Sequence, residues 1–232
     1  MADALAVATG VVLLAFLPPL LFLVRVRRAE RSRLEPWRAL LKAFAWGALG
    51  AASLSILLES ALGGTVDPVA LGAFPLMGVV AAPVIEESMK AIGLVAIRDP
   101  DPEPEDGLVY GAAVGLGFAA TENLIYVGAA MLVGGASLAL TTAIYRAVAT
   151  VALHASATAI TGYGVWAARF HVVQGSWLLP LLLAIALHAA YNALAVLDPL
   201  WALLAAVGLA LFAFSRILRR IRRLDAAGAS GP

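Results

Sequence analysis

The sequence predicts an all-α, polytopic membrane bundle of about seven transmembrane helices, and three observations carry that prediction. Of the 232 residues, 62% are hydrophobic and 13% charged, with a mean hydropathy of +0.92; a soluble domain has roughly 45–50% apolar residues. The apolar residues fall in runs close to the ~20 residues that a helix needs to cross hydrocarbon. The Lys and Arg residues gather on alternate connections between those runs.

The first run, Ala4 to Val24, has no preceding Lys or Arg and no small-residue cleavage site after it, so it reads as a retained span rather than a signal peptide. The basic stretch VRVRRAERSRLEPWR follows, then a second run from Ala39 to Leu62 and the polar connection ESALGGTVDP. The third run, Val69 to Ile97, contains Pro75 and Pro83 as potential kinks and ends in RDPDPEPEDG, an acidic, proline-rich loop. The fourth, Leu108 to Val133, carries Gly111 and Gly115 at the small-xxx-small spacing that lets helices pack closely. VGGAS leads into the fifth run, Leu138 to Ala168; RFHVVQGS precedes the sixth, Trp177 to Leu197; LDP precedes the seventh, Pro199 to Leu218.

Apart from Lys90 and Arg146, every Lys and Arg lies on or beside the connections of one side, which puts the N-terminus outside and the C-terminus in the cytoplasm. Residues 1–232 read as one transmembrane domain, with its chemistry within about 70–197 and a basic cytoplasmic tail over 219–232. The arginine runs are expected to meet anionic lipid headgroups at the cytoplasmic face. The net charge of +1 points to no partner, and no nucleic-acid partner is expected. Zero cysteines exclude disulfides, thiolate metal sites and a cysteine nucleophile.

Inside the runs stand groups that hydrocarbon does not tolerate without a reason. A charge at bilayer depth costs roughly 2.5–3.5 kcal/mol even on the lenient insertion scale. Glu86, Glu87 and Lys90 occur in EESMK, Glu122 and Asn123 in TENLIY, Arg146 and His154 in the fifth run, and His188 and Asn192 in HAAYN. With alternating helix directions the acids and imidazoles fall near one depth. Residues three and four apart share a helix face, so Glu86 with Lys90, Phe118 with Glu122, His154 with Thr158, and His188 with Asn192 mark four inward faces.

Each group has a bland explanation: a Glu–Lys ion pair, interhelical hydrogen bonds for the histidines and Asn123 or Asn192, an anchoring ion pair for Arg146. Structural glue does not account for three acids and two imidazoles at one level. Neighbouring carboxylates in a low-dielectric pocket cannot easily both ionise, so one is suited to take a proton from water. An imidazole and an amide across the pocket suit an oxyanion. Alternatively, Glu86, Glu122, His154 and His188 form an oxygen and nitrogen ligand set for a divalent metal such as zinc. Both routes end in hydrolysis. HExxH and GxSxG are absent and no Asp lies mid-run, so zincin-like, rhomboid-like and aspartyl intramembrane sites have no support.

EESMK, FAATEN, HASAT and HAAYN resemble, in order, the EExxK, FxxxE, H and HxxxN motifs of the PrsW family of intramembrane proteases, distant relatives of the CAAX prenyl endopeptidases. The resemblance covers about Ala81 to Ala195. It implies cleavage of membrane-anchored proteins in a bacterial cytoplasmic membrane, with anti-sigma factors among the substrates of the family. It also implies that Glu86 and Glu87 are the essential pair, with Glu86 as general base and Lys90 pairing with Glu87. Glu122 stands where the prenyl endopeptidases carry a water-positioning histidine; His154 completes the water site, and His188 and Asn192 stabilise the oxyanion. Asn123 and Arg146 are supporting residues. Whether a metal is used is open at this point. The competing reading from a different class is a proton- or cation-coupled transporter with a Glu/His relay, which inverted repeats would favour. A catalytically silent scaffold would not need both acids and both histidines, and a retinal protein would need a lysine that the last run lacks.

Overall fold

The computed structural model describes residues 2–62, 77–97, 102–170, 177–197 and 199–228, and every regular element among them is helical. In chain order these are α1 (Ala2–Arg27), α2 (Trp37–Ala45), α3 (Ala52–Ala61), α4 (Ala82–Ala96), α5 (Asp106–Tyr145), α6 (Val151–Arg169), α7 (Leu178–Ala195) and α8 (Leu200–Gly228). Three wider, π-helical turns interrupt them: Trp46–Ala51 between α2 and α3, Met77–Ala81 before α4, and Arg146–Thr150 between α5 and α6. Such turns shift the register of the side chains that follow and often accompany functional sites.

Among the described residues five helical stretches are long and apolar enough to cross a membrane: Leu5–Arg27, Trp37–Ala61, Asp106–Arg169, Leu178–Ala195 and Leu200–Gly228. The 64-residue stretch Asp106–Arg169 would extend about 96 Å if straight, several times the hydrocarbon thickness. It breaks at Gly135, whose φ of 66° and ψ of −161° suit glycine and almost no other residue. The connection VGGAS thus closes around one glycine instead of forming an extended loop, leaving an arm of α5 on either side of Gly135. α4, which carries Glu86, Glu87 and Lys90, is not among the five stretches. The first part of the predicted third span (69–76, with Pro75) and the connections over 63–68, 98–101 and 171–176 lie outside the described residues.

Glu59, where the predicted run Ala39 to Leu62 overlaps the connection ESALGGTVDP, is on the last turns of α3. One boundary differs from the sequence reading. α8 does not stop at Leu218 but continues to Gly228, because Ile217, Leu218 and Ile221 keep an apolar stripe buried on the bundle. Asp225, on that extension, accepts the backbone N–H groups of Arg31 (3.0 Å) and Ser32 (2.9 Å) and so ties α8 to the α1–α2 connector.

The first arm of α5 is the centre of the molecule, buried continuously from Leu108 to Ala120. Lipid tails offer helices no hydrophobic reason to associate, so close backbone approach supplies the packing. Gly111 and Gly115 lie directly on the Thr158 and His154 carbonyls of α6, and Gly117 on the Phe44 carbonyl of α2. Large apolar side chains point outward instead: Leu132 is 89% exposed and Leu5 70%, a pattern that suits lipid and not water. The molecule is an integral membrane helix bundle. At the end where α5 begins, burial pushes the carboxyls of Glu30 and Glu105 up to about 8 and about 7.

A Gly115→Val change puts two methyl groups where the α6 backbone now lies. The expected cost is about 1–3 kcal/mol of stability from overpacking, with displacement of His154. Thermal unfolding in detergent reads the first effect; an unshifted melting temperature would show that α5 and α6 do not pack this tightly.

Candidate active site

α4, α5, α6 and α7 each turn polar groups towards one buried cluster. On α4, Glu86 and Lys90 are one turn apart and Glu87 is three residues from Lys90, so both carboxylates reach the same ammonium. Lys90 is fully buried, and its Nζ donates to Glu87 Oε1 (2.8 Å), Glu86 Oε2 (3.2 Å) and His154 Nδ1 (2.9 Å). Those contacts use the three N–H groups an ammonium has. Nζ also stands 3.8 Å from the Phe118 ring centroid, a cation–π contact.

The two glutamates are not equivalent. Glu87 is completely buried and accepts from Lys90, from Thr158 Oγ1 (3.0 Å) and from His188 Nδ1 (3.0 Å). Glu86 keeps 10% of its side-chain surface, and among the described residues its close donor is Lys90; the His188 Nε2 lies 3.9 Å away. Glu87 is therefore held by three donors, while Glu86 retains more capacity to accept from a further molecule.

Hydrogen-bond logic fixes both imidazoles. Lys90 can only donate, so His154 Nδ1 accepts and the ring proton sits on Nε2, which donates to Glu122 Oε2 at 2.7 Å. His188 donates from Nδ1 to Glu87, which leaves its Nε2 lone pair facing Glu86. The two rings meet edge to face with centroids 4.8 Å apart. Arg146 reaches back along its helix to the cluster: Nη2 lies 3.0 Å from Glu122 Oε2, Nε donates to Asn123 Oδ1 at 2.8 Å, and the guanidinium covers the Tyr126 ring at 4.1 Å. Asn192 is half-buried and donates to the Gly78 carbonyl at 2.8 Å, which pins α7 to the π-helical turn before α4.

The structure thus brings together Glu86, Glu87, Lys90, Glu122, Asn123, Arg146, His154 and His188, and it turns the Asn192 amide to the Gly78 carbonyl. Two participants escaped the sequence reading. Thr158 was on the His154 face but had no assigned role; it holds Glu87. Glu59 on α3 is near enough to Glu86 and Glu122 for their charges to act on it, and its Oε1 is buried without a hydrogen-bond partner among the described residues. The spacing of Ser55 and Glu59, four residues apart in an apolar helix, was the available signal.

Glu86, His154 and His188 are also able to hold a metal ion: each offers a ligand atom, all three atoms lie within 4.8 Å of one another, and all three residues are buried. The donor set of one carboxylate and two imidazoles suits zinc. Glu87 already orients His188 from Nδ1, as carboxylates orient metal-binding histidines. At His154 a metal would take the place of the Nε2–Glu122 hydrogen bond or of the Lys90 contact, since both nitrogens are engaged.

A family model described as PrsW family intramembrane metalloprotease matches residues 35–218. Protease PrsW of Geobacillus kaustophilus (strain HTA426) is 34% identical over 138 residues, 53% of this chain and 58% of that protein. Protease PrsW of Clostridioides difficile (strain 630) is 27% identical over 199 residues, 83% of this chain and 82% of that protein. The match to the first of these spans little more than half of the relative's length. No solved structure matches the chain.

Proposed function

The chain belongs to the PrsW family of intramembrane metalloproteases, and on that premise we propose that it hydrolyses peptide bonds of membrane-anchored proteins, with Glu86 as the general base. The observation that carries this reading is the asymmetry of the glutamate pair: Glu87 is saturated by three donors and Glu86 is not.

Glu86 takes a proton from the attacking water as its oxygen bonds to the scissile carbonyl carbon, and returns that proton to the leaving amine. Glu87 acts through others: it fixes the Lys90 ammonium and the Nδ1 side of His188. Lys90 holds Glu86 in place and, through His154 Nδ1, keeps the ring proton of His154 on Nε2 beside Glu122. Arg146 balances the Glu122 charge. The second N–H of Asn192, and Nε2 of His188 once it has taken up a proton, would donate to the negative charge that develops on the carbonyl oxygen. In the alternative in which Glu86, His154 and His188 hold a divalent metal such as zinc, Glu86 is a ligand rather than the base, and the ion would supply Lewis acidity that activates water and polarises the carbonyl. Glu122 joins the ligand set if His154 turns.

The seven-span arrangement, with the N-terminus outside and the C-terminus in the cytoplasm of a bacterial cell, agrees with the break of α5 at Gly135 and the arginines of α8. The substrate is a protein anchored in the same membrane, with an anti-sigma factor as the first class to test. New N-termini in membranes of cells expressing wild type, compared by mass spectrometry with Glu86→Gln at equal folded levels, test the reading. Products confined to the wild type are expected; matching profiles across the membrane proteome would defeat it.

Thorough chelation of the purified enzyme addresses the metal. If Glu86, His154 and His188 hold zinc, chelation abolishes cleavage and lowers the melting temperature, and added zinc restores both. Cleavage that survives chelation would leave water activation to Glu86 alone.

A further inference from the structure

A second group of buried acids lies where α5 begins, about 24 Å along that helix from Glu122. It is built from the α1–α2 connector and the first turn of α5. Glu30 is 1% exposed, Glu35 2%, Glu105 1% and Asp106 0%. One carboxylate oxygen from each of Glu30, Glu35 and Asp106 lies within 4.8 Å of the other two. Glu105 is near enough for its charge to act on Glu30.

Hydrogen bonds position these acids. Glu30 Oε2 accepts the backbone N–H of Glu35 at 3.0 Å, and Asp106 Oδ2 accepts that of Glu103 at 2.5 Å. The Tyr110 hydroxyl donates to Glu35 Oε2. Arg27 directs its Nε to the Glu35 carbonyl at 2.6 Å and lays its guanidinium over Trp37. Among the described residues, Glu30 Oε1 and Glu105 Oε2 are buried with no hydrogen-bond partner.

Buried carboxylates are paired, protonated or bound to a metal, and buried oxygens without donors call for a missing partner. Two ligand oxygens on opposite sides of one Ca²⁺, each bonded at 2.3–2.6 Å, are separated by about 5 Å, and smaller angles bring them closer. The 4.8 Å limit on the Glu30, Glu35 and Asp106 oxygens falls within that span. Every candidate ligand is an oxygen, a set that favours hard cations over zinc and distinguishes this group from the imidazole-containing catalytic cluster.

We propose that Glu30, Glu35 and Asp106, with Glu105 beside them, form a second cation site that binds Ca²⁺ or Mg²⁺. Waters complete the shell. The ion fastens the α1–α2 connector to the start of α5, the helix that carries Glu122 and Asn123 into the catalytic cluster. The site stands on its own geometry and does not depend on the protease reading.

The test uses the full-length protein in detergent, stripped with chelator, exchanged into chelator-free buffer, then titrated separately with CaCl₂ and MgCl₂ while thermal unfolding is followed. A saturable rise in melting temperature with at least one ion is expected; it disappears in Glu30→Gln and persists in Glu86→Gln. Tb³⁺ provides a direct readout, because Tyr110 touches Glu35 and Trp166 lies 5.5 Å from the Tyr110 ring, so both sensitise a lanthanide bound there. Tb³⁺ emission that Ca²⁺ displaces, and that Glu30→Gln or Glu105→Gln weakens severalfold, supports the site. Glu105→Gln serves if Glu30→Gln does not fold. Absence of both the melting shift and the sensitised emission in wild type overturns the proposal. So does a shift that survives both substitutions, or one that Glu86→Gln removes.

Discussion

Glu86→Gln is expected to lower the turnover of a membrane-anchored substrate by about 10²–10⁴-fold, the range a positioned general base contributes, while leaving the melting temperature in detergent near that of wild type. The contrast with its neighbour makes the prediction specific. Glutamine at 86 cannot take a proton from water, but its amide oxygen still accepts from Lys90 and its environment is the more open of the two. At Glu87 the same change removes the charge that three donors converge on, so Glu87→Gln is expected to lose stability and activity together. Substrate cleavage and unfolding measured on both variants separate the roles. Full turnover in Glu86→Gln would exclude it as the base, and equal destabilisation of the two variants would remove the asymmetry on which the mechanism rests.

Lys90→Met is expected to be the most damaging single substitution for folding, at about 3–5 kcal/mol, because it leaves buried carboxylates without their counter-charge. Methionine fills much of the same volume, so the loss reports electrostatics more than cavity formation. It also removes the donor to His154 Nδ1, which frees that ring to change tautomer. The double variant Lys90→Met with Glu87→Gln should recover part of the lost stability, since one uncompensated charge goes with the mutation. Wild-type unfolding behaviour in Lys90→Met would mean that the ion triad contributes nothing to the fold. No recovery in the double variant would mean that volume, not charge, sets the cost.

Most of the buried polar cluster was legible because its residues announce themselves within single helices. Charged and imidazole groups in apolar runs are costly, and i to i+4 spacing places Glu86 with Lys90 and His154 with Thr158 on one face before any packing is known. Gly111 and Gly115 were legible for a similar reason: small residues four apart matter only where another backbone comes close, as α6 does. Glu59 received no role because the polar and glycine-rich residues that follow it resemble a connection, although it stands on the last turns of α3, near enough to Glu86 and Glu122 for their charges to act on it. The helical extension of α8 was hidden by its arginines, whose charge suggested a tail although Ile217, Leu218 and Ile221 maintain a buried stripe beneath them.

By itself the sequence determined that the chain is a membrane helix bundle and which side chains could not be left in lipid, because both follow from local composition and a 3.6-residue period. Tertiary structure decided how those side chains are paired. Glu86 and Glu87 are adjacent and chemically identical; only the rotation of α4 against α6 and α7 gives three donors to one and leaves the other open. The placement of Lys90 against His154, 64 residues away, selects the imidazole tautomer. The grouping of Glu30, Glu35 and Asp106 likewise has no local signature, because its members come from a connector and a distant helix start that meet only when the bundle closes.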